Sequence, residues 1–368
     1  MEFYKRKAVF GFLTLIFFIV GPLLIAYAAG YTFDLGRGSF IKTGGIFIKS
    51  STPRLSLFLD NEFEKETSLI SGGALLTDLM PGDHLFRIEK SDYAGWSKKL
   101  KVEAQMVTEF RDIILVPTQS QIATSSSAEQ ALITARLALR HTPNADTIQY
   151  GINTNGDLVA IEDKKILAPN VRTFSIRNDV ILFIDRNGFL ARLVIASGDI
   201  TTLGRPGFFF NDASPSFIYS PTREIAIIDS GGGLFILDAS NTIRTITGGV
   251  RDVAFDTESN KLLITKDHTL ELAWIAANEY QPFQKQWTIE TLIETESPIL
   301  EAAWFHDDSA HVVFRTAEGI FFIEIDGRGG RNTHTLISDR TDGLVTLPQL
   351  PHTIFFLKEK IWYKIDVK

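Results

Sequence analysis

Cysteine is absent from all 368 residues. That excludes disulfides, a thiol nucleophile and thiolate metal ligands, so hydrophobic cores must hold whatever fold forms. No block of lysine and arginine stands out. The net charge is −7, and the first 27 residues carry +2 (Glu2, Lys5, Arg6, Lys7), which leaves −9 on the remainder. The electrostatic footprint of a nucleic-acid binder is therefore missing. There is no Gly-x-Ser-x-Gly element, the usual signature of an α/β-hydrolase nucleophile. The seven histidines, His84, His141, His268, His306, His311, His334 and His352, form no His-x-x-x-His or His-Glu pair. Long apolar runs are also missing, with one exception.

That exception is Ala8–Tyr27, twenty uncharged residues behind Lys5-Arg6-Lys7. About twenty apolar residues let an α-helix cross a hydrocarbon core, and a basic flank stays cytoplasmic. The reading is residues 1–7 as a cytoplasmic tail and 8–27 as a transmembrane helix, with the remainder extracytoplasmic. Ala26-Tyr27-Ala28 also fits a small-x-small cleavage site. The run, however, exceeds the roughly 7–15 residues of a signal-peptide core, so the expectation is an uncleaved anchor.

Residues 28–44 read as a Gly-rich stem and 45–117 as a small β domain. Ile46–Lys49, Leu55–Leu59, Ala74–Leu79, Leu85–Glu89 and Phe110–Leu115 are predicted strands. Asp60-Asn61 and Pro81-Gly82 are turns, because Asn tolerates the left-handed backbone and Pro presets φ. Residues 118–147 read as a linker. Within it Ser126 and Glu129 make a capping box for a helix over Ala128–Arg140, ended by Pro143-Asn144.

From 148 to 368 short strands alternate with turns every 8–12 residues. An apolar residue before a polar turn and a following apolar strand recurs at Ile176, Tyr219, Phe255, Phe305 and Leu347, at spacings of 43, 36, 50 and 42 residues. A blade of a β-propeller is roughly 40–50 residues and four strands. With Ile148–Leu167 the count is five or six blades. The C-terminal strand Ile361–Val367 is expected to pair near N-terminal strands and close the ring.

Two resemblances sharpen this. Ser51-Thr52-Pro53, Leu57–Asn61, Leu79-Met80-Pro81-Gly82-Asp83-His84, Asp92-Tyr93 with Trp96, and Leu115-Val116-Pro117 together resemble a PEGA domain. Asn61 and Asp92 stand where that family usually has glycine. The resemblance implies a β-sandwich used for spacing or adhesion in surface proteins, with no catalytic residues. Tyr219–Ala226 and Ile325–Arg331 resemble elements of WD40-like and TolB-like blades, although no Trp-Asp dipeptide is present.

The expected fold is thus mainly β: a transmembrane helix, a PEGA-like β-sandwich, a linker helix and a propeller. Candidate chemistry is sparse. His306-Asp307-Asp308 with His311 is the densest ligand-type cluster, but it falls in a turn, where Asp is favoured for backbone reasons. Ser230–Gly233, Asp185–Gly188 and Asn153–Gly156 read as hairpin turns. Glu294 and Glu296 read as solvent-facing charge beside a strand. No cofactor or metal is expected. Loop aromatics are the better candidates for binding: Tyr280 and Phe283 in an insertion over 276–286, and Phe208 and Phe209 in a Phe run. The expected role is a non-enzymatic scaffold or binding protein of a bacterial cell envelope, with a protein or glycan partner. A propeller-fold hydrolase or lyase acting on envelope glycans or peptides is the competing expectation.

Overall fold

The computed structural model describes residues 2–34, 38–141, 149–204, 215–305 and 309–367. The chain divides into two compact units. The first is Met1–Gln119 with Asp326–Asn332 and Lys368; the second is Ser120–Ile325 with Thr333–Val367.

In the first unit, helix α1 (Glu2–Ala28) is uncharged on every side from Ala8 onward. Its stretch Lys5–Ala28 has a mean hydropathy of 2.6, is covered by no other part of the chain, and is long and apolar enough to cross a membrane. The stem is not plain coil. Strands β1 (Tyr31–Asp34) and β2 (Ser39–Lys42) pair as a separate two-stranded hairpin.

Seven further strands follow: β3 (Gly44–Ser50), β4 (Ser56–Leu59), β5 (Glu62–Glu66), β6 (Gly73–Leu79), β7 (Gly82–Glu89), β8 (Trp96–Val102) and β9 (Val107–Ile113). They form a three-stranded sheet, β6-β3-β9, with β3 and β9 parallel, and a four-stranded antiparallel sheet, β5-β4-β7-β8. Both sheets contribute to one core around Ile46, Ile48, Leu57, Phe86, Trp96 and Phe110, so the unit is a β-sandwich. Trp96 meets Phe110 edge-on at 5.3 Å. It opens β8. The fully exposed strand β5 was hidden by its charged sequence. Asp60, Asn61 and Asp92 have φ of +50°, +74° and +67°. These are the left-handed positions for which Asn and Asp are the best substitutes for glycine.

His84 ties the Asp60 turn to its neighbours. Its Nδ1 lies 2.6 Å from Asp60 Oδ2 and its Nε2 2.8 Å from the Met80 carbonyl. Burial alone would depress the imidazole. The bond to Asp60, the bond to Met80 and the nearby carboxylate charges outweigh it and raise the pKa. The Leu85 amide, then His84, hold the Asp60 carboxyl below its usual value. Stabilisation from Asp60 is therefore lost as pH falls through its lowered value. That from His84 is complete below about 6.5 and lost as pH rises through the raised value. The sandwich is expected to be most stable from about pH 4 to 6.5 as far as this pair is concerned. In His84→Gln the loss on the alkaline side should disappear, as read by thermal unfolding at a series of pH values. An unchanged pH profile would count against the assignment.

The strand pattern of β8 buries alternate residues, which places Lys98 inward at 1% exposure. Its ammonium donates to the carbonyls of Asp326 and Gly330 within the same unit. It also lies over the rings of Trp96 and Phe110. Around it the Lys99 amide donates to Gly329, and Asn332 bonds both backbone groups of Ser97. Arg328 stacks 4.3 Å above Phe110 and donates to the Glu109 carbonyl.

The second unit is a β-propeller of six successive sheets among the described residues. The first holds β11 (Tyr150–Ile152), β12 (Leu158–Ala160) and β13 (Ile166–Ala168). The second holds β14 (Val171–Arg177), β15 (Val180–Asp185), β16 (Leu190–Val194) and β17 (Ile200–Gly204). The third holds β18 (Ser216–Tyr219), β19 (Ile225–Ile228), β20 (Leu234–Leu237) and β21 (Ile243–Thr247). The fourth holds β22 (Val250–Phe255), β23 (Lys261–Lys266), β24 (Thr269–Trp274) and β25 (Ile289–Glu294). The fifth holds β26 (Glu301–Trp304), β27 (His311–Arg315), β28 (Ile320–Glu324) and β29 (Thr333–Ile337). The sixth combines β30 (Gly343–Leu347), β31 (Leu350–Lys358) and β32 (Ile361–Asp366) with β10 (Ile122–Thr124), which pairs with β32 from the other end of the unit. Ring closure by the C-terminal strand thus occurs through a segment read from the sequence as linker. The recurrent residues Ile176, Tyr219, Phe255, Phe305 and Leu347 each sit within one residue of the end of β14, β18, β22, β26 and β30 respectively.

Helix α2 (Ser127–His141) has the expected capping box. The Ser126 amide donates to Glu129 Oε2 at 2.7 Å, and the Glu129 amide to Ser126 Oγ at 3.3 Å. Its Ile133 is fully buried with Val345, Leu347 and Phe355 of the sixth sheet. The expected helix stop at Pro143-Asn144 lies outside the described residues.

Apolar cores join consecutive sheets; one example is Leu263, Leu272, Trp304 and Phe314 between the fourth and fifth. Cationic side chains add polar ties across the same seams. Arg177 donates to the Ser220 carbonyl at 2.6 Å, Arg251 to Ile299 at 3.0 Å and Arg315 to Thr341 at 2.6 Å. Charged donors to buried carbonyls are stronger than neutral ones, so these three bonds help fix the register where they cross.

Candidate functional site

The hairpin that joins β24 to β25 carries the insertion over 276–286. Its neck is closed by a bridge between Asn278 and Gln284, whose backbone groups bond at 2.8 and 3.1 Å. Asn278 Nδ2 also donates to the Pro282 carbonyl at 2.8 Å. The five-residue tip therefore has little freedom left. Tyr280 and Phe283 stand out from it at 78% and 66% exposure.

The base is equally firm. Trp274 is buried, its amide donates to Thr288, and its indole N–H donates to Glu290 at 2.8 Å. The Trp287 amide donates to the Trp274 carbonyl, and the Arg244 guanidinium lies 4.9 Å over the Trp287 ring. Lys261 sits 5.6 Å from both the Trp274 and Trp304 rings, donates to the Ser309 carbonyl, and pairs with buried Asp256. Burial pushes the Asp256 carboxyl above its usual value despite the Lys261 amide and ammonium. That combination fixes the adjoining turn and is itself closed off from solvent.

Tyr280 and Phe283 are thus brought together on one closed loop. Phe208 and Phe209 lie outside the described residues. Asn278, Trp274 and Trp287, which set the loop, were not singled out from the sequence; the two tryptophans flanking the insertion were the available signal. What the arrangement can do is bind. Burying two such rings releases about 3–6 kcal/mol before ordering costs, and a loop already closed pays little to order.

The other candidates that lie among the described residues make structural contacts. His306, Asp307 and Asp308 lie outside the described residues. His311 is a buried strand residue whose ring stacks on Phe322 at 4.9 Å. His334, on the next strand but one, is held below its usual pKa by burial, with His311 adding to this and Glu324 opposing it. Among the described residues no group of three His, Asp or Glu side chains could hold a metal. The turns at Asn153, Asp185 and Asp229 share one device: a side-chain oxygen accepts from the amides two and four residues on. This backbone-mimicking bond is what Asn and Asp supply to hairpins. Glu294 is the last residue of β25 rather than beside it, and both it and Glu296, two residues on, are exposed.

No family model matches the sequence, and no curated protein matches it. Solved structures do resemble it. The β-propeller domain of Cps50 (Swd1) from Myceliophteria thermophila is 13% identical, with a TM-score of 0.36 over 58% of this chain and 76% of that one. XC5397 from Xanthomonas campestris, a gluconolactonase, is 9% identical, with a TM-score of 0.33 over 58% and 79%. The extracellular domain of BT4673 from B. thetaiotaomicron is 15% identical, with a TM-score of 0.35 over 58% of this chain; the chain spans only 31% of that one. At these identities the likeness reaches no further than the fold.

Proposed function

We propose that this chain is a single-pass, membrane-anchored protein of a bacterial cell envelope that binds a protein or glycan partner through its propeller and catalyses no reaction. The basic flank Lys5-Arg6-Lys7 keeps the N-terminus cytoplasmic, and the sandwich and propeller stand outside. The sandwich serves as a PEGA-like spacing module. The observation that carries the binding role is the closed loop that holds Tyr280 and Phe283 exposed on a buried tryptophan base.

The test is capture by the purified full chain in nanodiscs, from solubilised envelope proteins and separately from isolated wall polysaccharide. A saturable partner is expected from one pool. Removing two central aromatic anchors costs about 2 kcal/mol or more, so the Tyr280→Ala/Phe283→Ala variant should bind at least about 30-fold more weakly. Its melting temperature should not move, because both rings are exposed. Equal capture by the variant would remove the loop from the account. Turnover of a wall glycan or peptide without stable capture would favour the hydrolase or lyase reading.

A further inference from the structure

The β1–β2 hairpin has a composition that water alone does not explain. It forms its own two-stranded sheet, and such hairpins are at best marginally stable in water. Its register puts Phe33 opposite Phe40 and Tyr31 opposite Lys42, which places all four residues on one face. The two phenylalanines meet edge-on at 5.2 Å, yet stand 46% and 49% exposed. The Lys42 ammonium lies 5.4 Å over the Tyr31 ring and donates to Gln105. Aromatic rings beside a lysine that can reach outward are the residue set of a membrane–water interface.

Position supports the same conclusion. The uncharged run Ala8–Tyr27 has 20 residues, about 30 Å of helix against a hydrocarbon core of about 30 Å, and the helix ends at Ala28. Tyr31 follows within three residues, and the Thr43 amide and hydroxyl bind the Gly30 carbonyl, so the hairpin cannot leave the helix end. Beside it opens a cleft of about 440 Å³, lined among others by Tyr27, Ala28, Leu75, Met106 and Val107. Leu75, Met106 and Val107 are 42%, 50% and 41% exposed.

We infer that the hairpin face Tyr31, Phe33, Phe40 and Lys42, with the sandwich edge at Leu75, Met106 and Val107, rests in the headgroup region of the outer leaflet. The partner is a lipid surface. The inference rests on the anchor reading, and its consequence is that the sandwich is seated on the membrane instead of swinging from a free stem.

The natural absence of cysteine makes the test clean. Phe33→Cys, Phe40→Cys and Met106→Cys, with Ile70→Cys as a control at a 99% exposed loop position, are labelled with an environment-sensitive fluorophore. The full chain is placed in vesicles of three parts phosphatidylcholine to one part phosphatidylglycerol. Emission at 33, 40 and 106 is expected to shift to the blue relative to 70 and to be quenched by headgroup-labelled lipid. Water-like emission at all three, with the chain resistant to carbonate extraction, overturns this inference and leaves the anchor reading standing. Release by carbonate, or loss of the first 28 residues, overturns both. Because aromatic-to-cysteine changes weaken the hairpin, Thr32→Cys, on its opposite face, is read in parallel and should stay unquenched.

Discussion

Replacing Ile133 by Asp is expected to destabilise the propeller unit by about 4 kcal/mol or more, the exceptional end of single-substitution effects. Ile133 is fully buried against Val345, Leu347 and Phe355. The buried side chains it packs with are all apolar, and a charge buried among them is the costliest insertion a core can receive. The conservative change Ile133→Val should cost only about 1 kcal/mol. Leu132→Asp, one residue away and 38% exposed, should be nearly neutral. Chemical unfolding of the three variants checks this. Equal small effects would mean that α2 is a tether rather than part of the ring, and that β10 closes the sixth sheet without help.

Lys98→Met carries the second large expectation. The substitution keeps length and apolar bulk but removes the donor to the Asp326 and Gly330 carbonyls, leaving two acceptors without their charged partner. Hydrogen bonds to a charged group contribute about 1.5–3 kcal/mol each. Offsetting this, burying an ammonium is itself unfavourable. A net loss of about 3 kcal/mol is expected in the unit that contains Asp326–Asn332. It should appear as faster hydrogen exchange over residues 326–332 and new tryptic cleavage after Arg328 and Arg331. If exchange there stays slow, the Arg328 stack on Phe110 and the Asn332–Ser97 bonds suffice on their own.

These two residues also mark where the sequence stops being readable. The parity of β8 is written in the chain: Trp96, Lys98, Leu100 and Val102 alternate with polar neighbours. What is not written is which groups satisfy an inward lysine, because they lie more than 220 residues away along the chain. Strand β10 is three exposed residues in a serine- and threonine-rich context, and only its pairing with β32 makes it a strand. By contrast, Ile176, Tyr219, Phe255, Phe305 and Leu347 were legible because each blade repeats the same demand. The first strand of a blade must end apolar, turn and return buried. Tyr280 and Phe283 were legible as loop aromatics; the Asn278–Gln284 closure that holds them out depends on a local fold that composition does not reveal.

The central claim is that one N-terminal helix displays everything after it outside the membrane. Ile70→Cys, in a chain with no other thiol, tests it in intact cells with a membrane-impermeant maleimide. The account predicts labelling of a full-length, carbonate-resistant protein without permeabilisation. Labelling that appears only after the membrane is opened would contradict it.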